Sequence, residues 1–290
     1  AALYLLLRSL FAAVCLATLL TLRIAETVFG IISNVYIPLK YNGQLQFQVI
    51  LTYNLFMINY NQNKTKLVNS VFNDVYKKYD LMNDLMSLGV HRLWKKKLVN
   101  WMKPQPESKI IDVASGTGDL ARIISEKANN KNTIYCIEPN KKMLFEGKEK
   151  LKSFKNINWK IASAEKLPFK EKTFDFYTIS YGIRNVSNID LCLKEAYRVL
   201  KPGGRFLCLE FSKVENEILN SFYKKYSKLI PILGKIMVGK REPYDYLVGS
   251  IEKFYNQKEL LNLMKKNKFY NVEFRNLSNG ISAIHSGWKI

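Results

Sequence analysis

Cysteine and histidine are scarce. Cys15, Cys136, Cys192 and Cys208 lie far apart and form no C-x-x-C pair, which leaves no pattern for a zinc site or a disulfide framework. His91 and His285 are the only histidines, so a histidine-based metal centre is not expected. Acid is also short: 24 Asp and Glu stand against 45 Lys and Arg, a formal net charge of +21. Such an excess points to an anionic partner: a membrane surface, a nucleic acid or an acidic small molecule. The many Lys, Asn and Ile residues equally fit an AT-rich genome, and net charge alone says little about function. Apolar content is not short. At 48% over 290 residues, it argues against disorder and allows a full core.

Three zones follow one another. Residues 1–22, AALYLLLRSLFAAVCLATLLTL, form an apolar run long enough to span a bilayer at roughly 20 residues. The run lacks the leading charge and the trailing small-residue site of a signal peptide. As a span, it would put the Lys-rich remainder on the cytoplasmic side. The competing and favoured reading makes residues 1–56 a poorly ordered or non-native extension ahead of a start at Met57, because YNGQLQFQVILTYNLFMINYNQNK shows neither a clean period nor turn logic. From Lys64 onward, Leu67, Val71 and Val75 and then Leu81, Leu85 and Leu88 recur at helical spacing. Two or three amphipathic helices are expected before Pro104 and Pro106 close this helical cap, 64–106.

Beyond the prolines, short apolar runs alternate with helical patterns. Strands are expected at Lys109–Val113, Thr133–Ile137, Asn158–Ala162, Phe174–Ser180, Arg205–Phe211, Val272–Asn276 and Ala283–Lys289. Helices are expected at Asp119–Ala128, Lys141–Leu151 and Asp190–Val199. The pattern predicts an α/β fold: a Rossmann-like, doubly wound, mostly parallel seven-stranded sheet with helices on both faces and an antiparallel strand near the C-terminus.

In such a sheet the ligand lies at the carboxyl ends of the strands, where the first strand turns into a helix. IIDVASGTGDLA places Gly116 and Gly118 there. Read literally, the turn satisfies the nicotinamide dinucleotide fingerprint, with Glu138 about twenty residues on. Against that reading, Asp112 lies within the strand and Asp119 at the helix start, where a carboxylate repels a pyrophosphate. Both acids suit a cationic or zwitterionic ligand such as S-adenosylmethionine; the competing and less favoured reading on residue type alone is helix capping and local hydrogen bonding. Glu138 can accept both hydroxyls of a ribose under either reading, and SAEKLPF places Ser163 where a hydroxyl could read an adenine edge.

The stretches VFNDVYKKYDLMNDLMSLGVHRLWKKKLV, DVASGTGDLA, SAEKLPF, TFDFYTISYGIRNV, YRVLKPGGRFLCLEFSK and ISAIHSGWK together resemble the ubiquinone/menaquinone biosynthesis C-methyltransferase family over residues 64–290. The phrase KPGGRF marks the broad class of S-adenosylmethionine-dependent methyltransferases; YDLMNDLMS, HRLWK and GIRNV point to this family. The resemblance implies methyl transfer from S-adenosylmethionine to a ring carbon of 2-polyprenyl-6-methoxy-1,4-benzoquinol, demethylmenaquinol or both. It implies cofactor contacts at Thr117, Glu138, Ser163, Ala164 and Ser180, beside Asp112, Gly116 and Gly118. Relatives often carry Gly at Ser115, Asp at Glu138 and Asn or Asp at Ser163, and the last change leaves a shorter acceptor. The resemblance also implies a homodimer or a multi-enzyme quinone-forming assembly, a peripheral place on the inner face of a bacterial or mitochondrial inner membrane, and no nucleic-acid partner. The alternatives are a nicotinamide-dependent oxidoreductase and a basic nucleic-acid methyltransferase.

Methylating a ring carbon needs a deprotonated neighbouring hydroxyl and a group to take or stabilise that proton. Arg184 and Asn185 in GIRNV and Tyr79 in KKYDLMN are the candidates with reach. Arg184 stays protonated, so a phenolate-stabilising or water-polarising role is expected of it. His91 is expected to be a packed or capping residue. The segment 212–254, rich in Tyr, Leu, Ile and Lys, suits a lid over an isoprenoid tail in contact with anionic lipid, or a plain helical pair.

Overall fold

The computed structural model describes residues 64, 66–73, 76, 81, 83–84, 87–239 and 241–290. Tyr79, the apolar run 1–22 and Met57 fall outside the described residues, as do Val75 and Leu85. Residues 61–290 belong to one compact unit.

After α1 (His91–Met102) come β1 (Lys109–Val113), α2 (Asp119–Lys127), β2 (Thr133–Ile137), α3 (Lys141–Lys150), β3 (Ile157–Lys160) and β4 (Phe174–Ser180). A short 3-10 helix (Ile183–Asn185) leads to α4 (Ile189–Val199) and β5 (Leu200–Phe211). Then follow α5 (Glu217–Val238), α6 (Glu242–Lys253), α7 (Gln257–Lys266), β6 (Tyr270–Leu277) and β7 (Ser282–Trp288). Four helices start on Asn, as sequence capping rules favour: the side chains of Asn140, Asn188, Asn216 and Asn256 accept from N–H groups of the first turns of α3, α4, α5 and α7, and Asn256 completes a capping box with Glu259.

The seven strands form one sheet in the order β3-β2-β1-β4-β5-β7-β6. Strands β1 to β5 pair in parallel, and β7 runs antiparallel to both β5 and β6. Since successive strand residues face opposite sides, Ile110, Leu207 and Leu209 enter one buried cluster while Ile111, Val113, Phe206 and Cys208 enter the other. Both faces are therefore covered, which is why the central strands read as continuous apolar runs.

Three expectations shift. β3 begins at Ile157 and ends at Lys160, leaving Ser163 in an isolated bridge with Lys166. β5 starts at Leu200, five residues before Arg205: Leu200 pairs with Phe174, and Gly203 and Gly204 exchange backbone bonds with Lys289, so the glycine pair is held in the sheet. In the cap, residues 66–73 are helical, but Val71 is buried while Leu67 and Leu88 are exposed, so the apolar spacing there does not mark a single inward stripe. Among the described residues, no helix is long and apolar enough to cross a membrane.

Candidate active site

The strand order reverses between β1 and β4, and a cavity opens at the carboxyl ends of β1, β2 and β4. Its wall is built from the β1 and β4 turns, the end of β2, and the cap helix, which contributes Val68, Asn69 and Phe72. Gly116, Glu138, Ser163, Ala164 and Asn185, all expected from the sequence, line it together.

Glu138 is the best-positioned acid. Its Oε2 accepts from the Gly116 N–H and its Oε1 from the Asn140 N–H, both at 2.9 Å. Burial pushes this carboxyl up to about 7, against the lowering pull of those two bonds. The Gly116 N–H, which a pyrophosphate would need, is thus already donated to a carboxylate. Gly118 adopts φ +81°, and a Cβ there would fall 2.6 Å from Leu151 and 2.9 Å from Trp159. It is glycine for backbone reasons and for packing against β3. Gly182 lets the turn after β4 approach β1, since a Cβ would meet that of Ala114 at 2.5 Å. Thr117 is buried within the turn.

Asp112 lies beneath the turn, fully buried. Thr178 Oγ1 donates to its Oδ1 at 2.7 Å, whereas Oδ2 has no hydrogen-bond partner. Burial raises this carboxyl to about 7, opposed by Thr178 and by the charge of Lys95. Ser180 Oγ, at the end of the adjacent β4, is also buried without a partner.

The structure corrects the expectation for Asp119. Its carboxylate is taken up by Lys150 at 2.9 Å and by the buried Lys95 of α1 at 3.4 Å. Those two cations overcome its burial and bring it down to about 2. The acids that bound the cavity are instead Glu138 and Glu165. Glu165 accepts from the Ser187 and Asn188 N–H groups, tying the β3 turn to the β4 turn.

Arg184 and Asn185 part company. Asn185 lines the cavity, and its Oδ1 accepts from Tyr246 on α6 at 3.0 Å. The guanidinium of Arg184 turns away into the protein, where Nη1 meets Glu210 Oε1 at 2.5 Å and the Tyr181 carbonyl at 2.8 Å, and Nε meets Ser250. Both members of this ion pair are at most 3% exposed. His91 packs as expected: buried at the start of α1, it bonds Asp84 at 2.9 Å, and burial lowers its pKa.

Sequence reasoning missed Asn140, Met143 and Glu165 as wall residues. Asn140 carried a usable signal, an Asn just before a helical run at the end of a strand; Met143 follows it on the first turn of α3. Glu165 carried none, because a carboxylate that clamps two loops looks like any surface acid. Among the described residues, no group of three or more His, Cys, Asp or Glu could hold a metal ion.

Comparison with known proteins matches the sequence to a family. Residues 58–289 match the model of the ubiE/COQ5 methyltransferase family. The ubiquinone/menaquinone biosynthesis C-methyltransferase UbiE of Rickettsia bellii is 50% identical over 234 residues, covering 78% of this chain and 94% of its relative. That of Brucella abortus is 48% identical over 233 residues, covering 78% and 87%. Among solved structures, a SAM-dependent methyltransferase from Thermotoga maritima superposes with a TM-score of 0.56 at 20% identity, over 77% of this chain and all of that one. A Haemonchus contortus phosphoethanolamine N-methyltransferase, solved with S-adenosyl-L-methionine, gives 0.52 at 14% identity over 68% of this chain and 52% of that one. The two structures share the fold, and the sequence match goes further: the chain belongs to the ubiE/COQ5 methyltransferase family and is a methyltransferase.

Proposed function

We infer that this chain moves the methyl group of S-adenosylmethionine to a ring carbon of a polyprenylated quinol, 2-polyprenyl-6-methoxy-1,4-benzoquinol or demethylmenaquinol. The observation that carries the reading is the Glu138 carboxylate, held by two backbone N–H groups on the wall of a cavity at the β1/β4 reversal. The names of the relatives, biosynthetic C-methyltransferases for ubiquinone and menaquinone, support the substrate class.

The residues present fit the cofactor. Glu138 retains lone pairs for ribose hydroxyls, and Ser163 and Ala164 lie at the rim where an adenine edge would rest. Asp112 Oδ2 and Ser180 Oγ are buried polar atoms without a partner at the ends of neighbouring strands, as an amino-acid end group would require. Gly116, on the cavity wall with a positive φ of 59°, presents bare backbone to the ligand. When bound, S-adenosylmethionine supplies a methyl group already activated by its sulfonium. The chain must hold the ring carbon in line and exclude water, and the cap residues Val68 and Phe72 close the cavity with apolar surface.

Asn185, fixed by Tyr246, is placed to hold the quinol hydroxyl that loses its proton. Arg184 acts from behind: its buried charge lies against Glu210, and it fixes the 183–185 turn that presents Asn185. Tyr79 in KKYDLMN is the other side chain proposed to reach the quinol.

The helices α5 and α6 make the lid and the membrane contact. Gly234 lets α5 nest against Tyr244 of α6, and α6 touches the 183–185 turn through Tyr246 and Ser250. Along α5, Ile218, Phe222, Leu229, Ile232 and Ile236 are all at least half exposed. At about 100° per residue they fall on one line to within about 40°, and Lys225, Lys228 and Lys235 lie on or beside it. An apolar stripe edged by lysines is the pattern of a helix lying in an anionic bilayer surface, where a polyprenyl substrate resides.

Purified protein given methyl-labelled S-adenosylmethionine and short-chain analogues of both quinols tests the reading. Label in the ring of either product is expected. Binding of S-adenosylhomocysteine without label transfer to either quinol would overturn the substrate class; no binding at all would overturn the cofactor assignment.

A further inference from the structure

A second cavity, of about 610 Å³, shares no residue with the one just described. It is a groove between the C-terminal end of α1 and strands β5, β7 and β6. Its charged wall consists of Lys97, Lys103, Arg205 and Arg275, with Trp101 between them.

The two arginines are held, not loose. Arg205 is buried; its Nε donates to Ser286 Oγ at 2.7 Å and its Nη1 to the Trp101 carbonyl at 2.9 Å. Its guanidinium also stacks on the rings of Trp101 and Trp288, with centroids 4.8 and 4.9 Å away. Arg275 stacks on the same Trp101 ring at 3.9 Å. Two guanidinium groups thus share one indole, and neither they nor Lys97 and Lys103 form an ion pair with a carboxylate among the described residues.

Burial lowers the Arg205 pKa, against the raising charge of Glu273 and with the charge of Arg275. The bond from Arg205 to the Trp101 carbonyl also covers part of the negative end of α1. Gathering four cations against the single nearby charge of Glu273 costs the free protein stability, and an anion that fills the groove offsets that cost. Fixed, stacked guanidinium groups match phosphate oxygens in geometry.

We propose that this groove is a binding site for a phosphate-bearing anion, with Arg205 and Arg275 as the contacting pair and Lys97 and Lys103 as charges at its rim. The phosphate can belong to a free compound or to a phospholipid headgroup, and the assay separates the two. The site lies on residues the methyl-transfer reading does not use, so either can fail alone.

The full chain is titrated calorimetrically with pyrophosphate, and separately tested for flotation with phosphatidylcholine vesicles with and without phosphatidylglycerol. Arg275→Gln and the double variant Lys97→Gln, Lys103→Gln are compared with Lys127→Gln, an exposed cation on α2 that controls for net charge. Each groove variant is expected to weaken binding at least about tenfold, the loss of one charge-assisted hydrogen bond, with Lys127→Gln and S-adenosylhomocysteine affinity unchanged. Binding to pyrophosphate assigns a free ligand, and binding only to phosphatidylglycerol vesicles assigns a headgroup. Absence of both, or equal weakening by Lys127→Gln, overturns the proposal. Because Arg275, Lys97 and Lys103 are exposed, the variants should melt with the parent, which a thermal scan confirms.

Discussion

Replacing Asp112 by Asn should make the ligand-free protein more stable, and increasingly so as pH rises. The carboxyl is buried at 1% exposure, one oxygen has no partner, and it titrates at about 7 in the folded chain against 3.8 for an ordinary aspartate. A group whose pKa is raised by folding contributes its stability at low pH and loses it as pH climbs through the folded value. Between about pH 4 and pH 7 the unfolded chain has lost this proton while the folded one keeps it. At 1.36 kcal/mol for each of roughly three pH units, the loss approaches about 4 kcal/mol, and water penetration would reduce it to about 2–4. Asn keeps the acceptor for Thr178 Oγ1 and places an amide where a protonated carboxyl would otherwise be, so parent and variant should nearly match at low pH. Glu138 titrates in both proteins and largely cancels in the difference. Urea unfolding followed by circular dichroism at about pH 5 and about pH 8 reads the comparison. A variant whose advantage does not grow with pH, staying within about 1 kcal/mol across the range, would refute the claim that burial without a full set of partners governs this carboxyl.

Arg184→Ala leaves Glu210 buried without its partner and should cost about 3–5 kcal/mol in urea unfolding, while Glu210→Gln should slow turnover with little change in S-adenosylhomocysteine affinity. Glu138 binds hydroxyl donors best as the anion, so cofactor binding should strengthen from about pH 6 to pH 8 and release a proton visible as a buffer-dependent calorimetric heat; Glu138→Gln should flatten that dependence. Gly118→Ala forces a side chain into φ +81° and against Leu151 and Trp159, and a loss of about 1–3 kcal/mol is expected from strain and overpacking, read as a lowered Tm.

The sheet was legible because every central strand is apolar on both sides and bounded by turn residues. β1, β2 and β4 fall where the sequence put them. β5 extends five residues before the expected Arg205: Pro202, Gly203 and Gly204 are turn-forming types, and nothing local shows that Lys289, some eighty-five residues later, bonds both glycines. The cap was the weakest reading for a related reason. Leu67 and Val71 stand four apart, and Leu88 closes a second run of helical spacing, but which of them faces inward depends on a surface that the rest of the chain provides.

The site was legible to the same depth. Gly116, the acid after β2 and the Asn of GIRNV are set by local backbone, and they do line the cavity. Charges are different, because a carboxylate acts through whichever cation reaches it. Asp119 reads as an acid aimed at a ligand until Lys95, twenty-four positions upstream, and Lys150, thirty-one downstream, are seen to take it up. Arg184 reads as a catalytic cation until Glu210 is seen beside it. In both cases the side chain carries its full charge, and that charge is spent on holding the glycine turn or the 183–185 turn in place. The two carboxyls made responsive to pH near neutrality by burial are therefore Glu138, on the cavity wall, and the half-satisfied Asp112 beneath the glycine turn. For these two groups the cause is the buried position each strand end imposes, which a count of acidic residues around a motif does not contain.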